Sequence, residues 1–91
     1  MTAVFVVDPS AELGAQIRRF AAKFSLTDGE ARVLKEIIGG NGLPAAAAKL
    51  KITHATARSH AKRIFEKTGT GRQAELVRRF FESSVPHAVS S

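Results

Sequence analysis

The helix starts and stops that punctuate the stretch from Thr27 to Thr70 constrain this chain more than any other feature. Thr27 followed three residues on by Glu30 has the pattern of a capping box, in which a hydroxyl and a carboxylate each take the other residue's amide. Leu26 and Ala31 sit at the matching staple positions. Val33, Leu34, Ile37 and Ile38 then recur at helical spacing, and Gly39-Gly40-Asn41-Gly42 stops the run. Pro44 falls in the first turn of a third helix, Leu43 to Leu50. Thr53 caps a fourth helix that runs to Thr68 and stops at Gly69. Thr70 with Gln73 predicts another capping box, opening a fifth helix that ends near Ser83. Ahead of them all, Asp8 as cap and Pro9 at the first helical position predict a first helix with the stripe Leu13, Ile17, Phe20, Ala21 and Phe24. The expectation is an all-α fold, a small bundle of four to five helices over residues 10–83. Residues 84–91 read as a flexible small-polar tail. Residues 1–9 read as an extended arm, because Ala3-Val-Phe-Val-Val7 has strand composition and no helical period. It is either the last strand of an upstream domain or an arm that pairs locally or with a second copy.

At 91 residues the chain is long enough for one modest core. Its net charge of +6 is unevenly placed. Residues 1–48 balance, whereas residues 49–79 carry Lys49, Lys51, Arg58, Lys62, Arg63, Lys67, Arg72, Arg78 and Arg79 against Glu66 and Glu75. A basic segment of this kind suits a polyanion, and equally a solvated surface. The absence of cysteine excludes zinc fingers, disulfides and thiol catalysis. Tyr and Trp are absent too, which disfavours the stacking platforms used for single strands. No apolar run reaches the roughly 18 residues of a membrane span, and Val4–Val7 is too short for a secretory signal, so a cytoplasmic location is expected.

Residues 43–67 make a short helix, a tight turn through Lys51-Ile52, and a longer helix, which is the helix-turn-helix pattern. At about 100° per residue, Ala57, Ala61 and Ile64 share one side of the long helix. Ala55, Arg58, Ser59 and Lys62 share the opposite side, with no large apolar residue among them. Arg58 and Lys62 lie one above the other and can reach guanine edges, while Ala55 and Ser59 are short enough to let the helix sit deep in a major groove. Thr53 and Thr56 at the helix start can offer hydroxyl and amide donors to a phosphate, and Arg63 is a further candidate phosphate contact. An amphipathic core helix with a solvated basic face would give the same wheel.

Over Leu26 to Val77 the sequence also resembles the LuxR-type helix-turn-helix domain of bacterial transcription regulators. The resemblance is carried by Leu26-Thr27, Glu30, Val33-Leu34, Gly40, Ala47, Leu50, Ile52-Thr53, Thr56, Arg58, His60, Ile64-Phe65, Lys67, Gly69 and Glu75-Leu76-Val77. It implies that the fourth helix reads bases of double-stranded DNA through Arg58, Ser59 and Lys62, that Thr53, Thr56 and Lys67 hold phosphates, and that the last helix pairs two copies. Lys67 to Val77 resembles a branch in which the domain ends a longer protein with an upstream sensor. Three departures stand out: Lys51 where glycine is common in the turn, Gln73 where arginine is common, and Ala57 and Ala61 where larger aliphatics are common.

Leu76, Val77, Phe80 and Phe81 on the last helix are the candidate homodimer surface; folding of both phenylalanines back onto the first helix is the competing expectation. His54 and His60 stand about 240° apart on the helix and cannot share a metal. Gly39–Gly42 follows a helix, whereas phosphate-binding glycine loops follow a strand. No enzyme activity, cofactor, metal or small-molecule ligand is expected. Two other functions remain open on the residues. One is a helix-turn-helix interaction module that pairs with and modulates another regulator. The other is a sigma-factor-like promoter reader, which would bring RNA polymerase in as a partner.

Overall fold

The computed structural model describes residues 9–84, and all five regular elements among them are helices: α1 Pro9–Phe24, α2 Asp28–Ile38, α3 Leu43–Leu50, α4 His54–Thr68 and α5 Gln73–Ser84. The expected strand at Ala3–Val7, the Asp8 cap and the tail beyond Ser84 lie outside the described residues.

Each of the first four helices ends in the same way. A residue with left-handed backbone follows the helix (Ser25, Gly40, Lys51, Gly69). The next amide then reaches back to a carbonyl of the last turn: Leu26 to Ala21, Asn41 to Glu36, Ile52 to Ala47 and Thr70 to Phe65, at 2.9–3.0 Å. This closure satisfies carbonyls that a helix end otherwise leaves open, and glycine is its usual residue because a Cβ is strained there. Gly40 and Gly69 fit that preference, while Ser25 and Lys51 do not. Lys51 thus takes, as a lysine, the backbone angles for which related turns commonly use glycine.

Helix starts follow the sequence with one exception. The α2 capping box is formed, Glu30 donating its amide to Thr27 Oγ1 at 3.1 Å and Thr27 donating its own to Glu30 Oε1 at 3.0 Å. At α4, Thr53 Oγ1 accepts the Thr56 amide at 3.0 Å. The expected Thr70–Gln73 box is not formed, because the Thr70 amide is already committed to closing α4. The fifth helix instead begins at Gln73, and the Glu75 carboxylate accepts the Gly71 amide at 2.8 Å. That bond is the main cause holding the Glu75 pKa below the ordinary glutamate value.

The core gathers Ile17 and Phe20 of α1, Val33, Leu34 and Ile37 of α2, Ala61 and Ile64 of α4, and Leu76 and Phe80 of α5. Phe20 meets Phe80 edge-on at 5.3 Å between ring centroids, a favourable aromatic geometry. α3 packs against α2 and α4 and buries Ala46 and Ala47, while α4 buries Ala57 and Ala61.

Two corrections follow. Leu76 and Phe80 are fully buried within this one chain, so they cannot also form a surface for a second copy. Ile38, placed by its spacing on the buried face of α2, is only partly covered.

Candidate nucleic-acid interface

The fourth helix has two opposed faces. Ala57, Ala61 and Ile64 are buried against α2 and α3, and this anchors α4 along its length. Ala55, Arg58, Ser59 and Lys62 are all exposed on the other side, as the wheel predicts, and so are Thr53, Thr56 and Arg63. Arg58 Nη2 lies 3.4 Å from His54 Nδ1, one turn earlier on the same side. Glu66, one turn beyond Lys62, is where the basic stripe ends; it lines a shallow depression with Ser59, Lys62 and Arg63.

The start of α4 is fixed by its threonines. Thr53 Oγ1 accepts the Thr56 amide and donates its own hydrogen to Thr56 Oγ1 at 2.9 Å. A hydroxyl that accepts this bond still has its own hydrogen to give, so Thr56 keeps one outward donor. Beside it, a shallow groove of about 400 Å³ runs between the first turn of α2 and α4, lined by Thr27, Glu30, Ala55, Thr56, Ser59, His60 and Arg63.

Lys67 is placed differently from the other candidates. Its ammonium turns back toward the protein and donates to Glu30 Oε1 at 2.7 Å and to the Ser25 carbonyl at 3.0 Å. The Glu30 side chain is only 3% exposed. Burial acts to raise the Glu30 pKa. The Lys67 hydrogen bond, the Thr27 amide and the positive charge of Lys67 outweigh it and hold the pKa below the ordinary value. The sequence marks Glu30 as a capping residue alone, and nothing local in it marks Lys67, 37 residues away, as its partner.

His60 is likewise half-buried, its ring against Gly29 of α2. A Cβ built on Gly29 would fall 2.9 Å from His60 Nε2, closer than such contacts occur. The last helix tightens the far end: Arg79 Nη1 donates to the Thr68 carbonyl at 3.1 Å, and the buried Thr68 hydroxyl bonds Ile64 O at 2.7 Å. A second ion pair, Lys49 to Glu36 at 3.5 Å, joins α3 to α2, where Glu36 also accepts from Asn41 Nδ2 at 2.8 Å.

On the last helix, Phe81 is 50% exposed and Val77 half-buried, which is what remains of the apolar band once Leu76 and Phe80 are taken into the core. Among the described residues, no three His, Asp or Glu side chains are grouped as metal ligands, and no helix is long and apolar enough to cross a membrane.

Compared with known families, residues 24–80 match the profile described as bacterial regulatory proteins, luxR family. Neither a curated protein nor a solved structure matches the chain. The matched stretch begins at the last residue of α1, so nearly all of that helix lies outside it.

Proposed function

The chain belongs to the luxR family of bacterial regulatory proteins, and on that premise we propose that it binds double-stranded DNA sequence-specifically, with α4 in the major groove, as a transcription regulator domain. One observation carries the reading. The inward face of α4 is fully buried, and its outward face presents Ala55, Arg58, Ser59 and Lys62, a cationic surface with no large apolar side chain to hold it off the bases. Arg58 is the principal base reader, suited to the O6 and N7 of a guanine; Lys62 reaches the same edge as a point charge, and Ser59 and Ala55 allow close approach. Thr53, Thr56 and Arg63 take backbone phosphates, helped by the helix N-terminus, and supply affinity while the base contacts supply choice. Pairing of two copies through Val77 and Phe81, and residence in the cytoplasm, complete the reading.

Selection of bound duplexes from a random pool tests it first, with a twofold-symmetric motif as the expected result. Arg58→Ala should then cost about 1–3 kcal/mol on the selected duplex and relax preference at one base pair. A uniform loss on every sequence would remove Arg58 from base reading. Failure to enrich any duplex would favour the interaction-module alternative, and enrichment only in the presence of RNA polymerase core the sigma-factor-like one.

A further inference from the structure

We infer that His60 and Lys67 are positioning residues for base reading rather than DNA ligands: seven residues apart on α4, they straddle the first turn of α2 at Gly29 and Glu30 and set the angle at which the reading face meets the groove. The inference rests on the proposed reading of α4 as the groove helix.

Residues seven apart on a helix share nearly one side and stand about 10 Å apart along its axis. Here both find their partners on consecutive residues of one neighbouring helix. At the nearer contact, the His60 ring occupies the space a side chain on residue 29 would need, so Gly29 leaves room for the imidazole against α2. At the farther one, the Lys67 ammonium is held by Glu30 at 2.7 Å and by the Ser25 carbonyl at 3.0 Å. Ser25 offers that carbonyl from a left-handed backbone at φ 58°. Drawing Lys67 away to a phosphate would leave the Glu30 carboxylate, 3% exposed, without its counter-charge. Such an uncompensated buried charge is strongly unfavourable, so DNA and the tie would compete for one ammonium. Arg58 and Lys62 flank His60 on the same stretch of helix. A bidentate contact to a base tolerates little displacement, whereas phosphate attraction is long-ranged and forgiving. Loosening the two ties should therefore reduce discrimination between sequences more than it reduces attraction to DNA.

The test measures affinity of the full chain for a selected duplex and for one with altered base pairs, across a salt series. Arg63→Met gives the signature of a lost phosphate contact, a slope of log affinity against log salt shallower by about 0.9. Lys67→Met should instead keep the wild-type slope and lower the selected-to-altered ratio on the order of tenfold, with Lys67→Arg restoring the ratio. Gly29→Ala adds a helix-favouring methyl group that displaces the imidazole. It should lower the same ratio without lowering the melting temperature, an effect that a purely structural role would not produce. If Lys67→Met does not fold, the double variant Glu30→Gln/Lys67→Met removes the buried charge with its partner and is read in the same way. A shallower slope for Lys67→Met with an unchanged ratio makes Lys67 a phosphate ligand and overturns the inference. An unchanged ratio in Gly29→Ala overturns the His60 half. Absence of any sequence preference in the wild-type chain defeats the groove reading itself, a result distinct from either.

Discussion

Ser25 and Lys51 hold left-handed backbone, at φ 58° and 60°, without being glycine. The conformation costs an ordinary residue about 1–2 kcal/mol. The Lys51 side chain is exposed, and among the described residues it takes part in no hydrogen bond or ion pair that would offset this. Lys51→Gly should therefore stabilise the chain by up to about 1 kcal/mol, the relief of strain less glycine's greater freedom when unfolded. A rise in the denaturant midpoint at constant m-value would show it, and a fall would reveal a role for the lysine side chain. Glu30 ties the stability of the fold to pH. Its pKa in the folded chain lies below the ordinary value. Its contribution to stability is therefore complete above the unfolded pKa, about 4.3, and is lost as pH falls through the folded value. Glu30→Gln should be the less stable protein at neutral pH, with the gap closing below about pH 4. A gap that stayed constant from neutral pH down to strong acid would mean that Lys67 does not hold the carboxylate ionised.

Between elements, α3 packs on α4 with Ala46 and Ala47 buried on the one helix and Ala57 and Ala61 on the other. Ala57 is fully enclosed, so Ala57→Leu should overpack the contact and cost about 1–3 kcal/mol. Thermal unfolding measures this, and an unchanged melting temperature would mean that α3 can move outward at no cost. The faces of α4 were legible in the sequence because burial and exposure alternate there with a clean helical period and Thr53 and Gly69 bound the helix. The turn was legible as well, though only the coordinates show Lys51 in the left-handed conformation. The start of α5 was not, since Thr70 has a capping sequence but gives its amide to Phe65. The Glu30–Lys67 and Gly29–His60 contacts were hidden for another reason: they join residues far apart in the chain, and local spacing carries no information about which side chain meets which. The apolar band of α5 shows the same limit. The wheel gives Leu76, Val77, Phe80 and Phe81 one broad stripe, and only the packing of α5 against α1, α2 and α4 decides that Leu76 and Phe80 belong to the core.

For the whole molecule, this division of α5 narrows how two copies can meet. α1, almost entirely outside the family-matched stretch, packs against both α2 and α5 and closes the core from that side. What remains on α5 for a partner is Phe81, half exposed, and the half-buried Val77. A patch of that size is far below the roughly 1,200 Å² or more of a stable interface, so free copies should associate weakly and pair mainly on DNA. On the proposed pairing, two α4 helices sit one turn of the duplex apart, about 34 Å, and the last helices of the two copies meet. Phe81→Glu tests the arrangement, because an exposed position can hydrate the new charge while two copies cannot bury it against each other. The edge contact of Phe81 with Phe80, at 5.3 Å, is lost as well. That loss should lower stability by about 0.5–1.5 kcal/mol and leave the chain folded. Binding to a half site should then match the wild type, while the cooperative gain on a whole inverted-repeat site disappears. Titrations on both duplexes, with sedimentation of the free and bound protein, separate the two effects. If Phe81→Glu retains full cooperativity on the whole site, pairing does not run through the last helix.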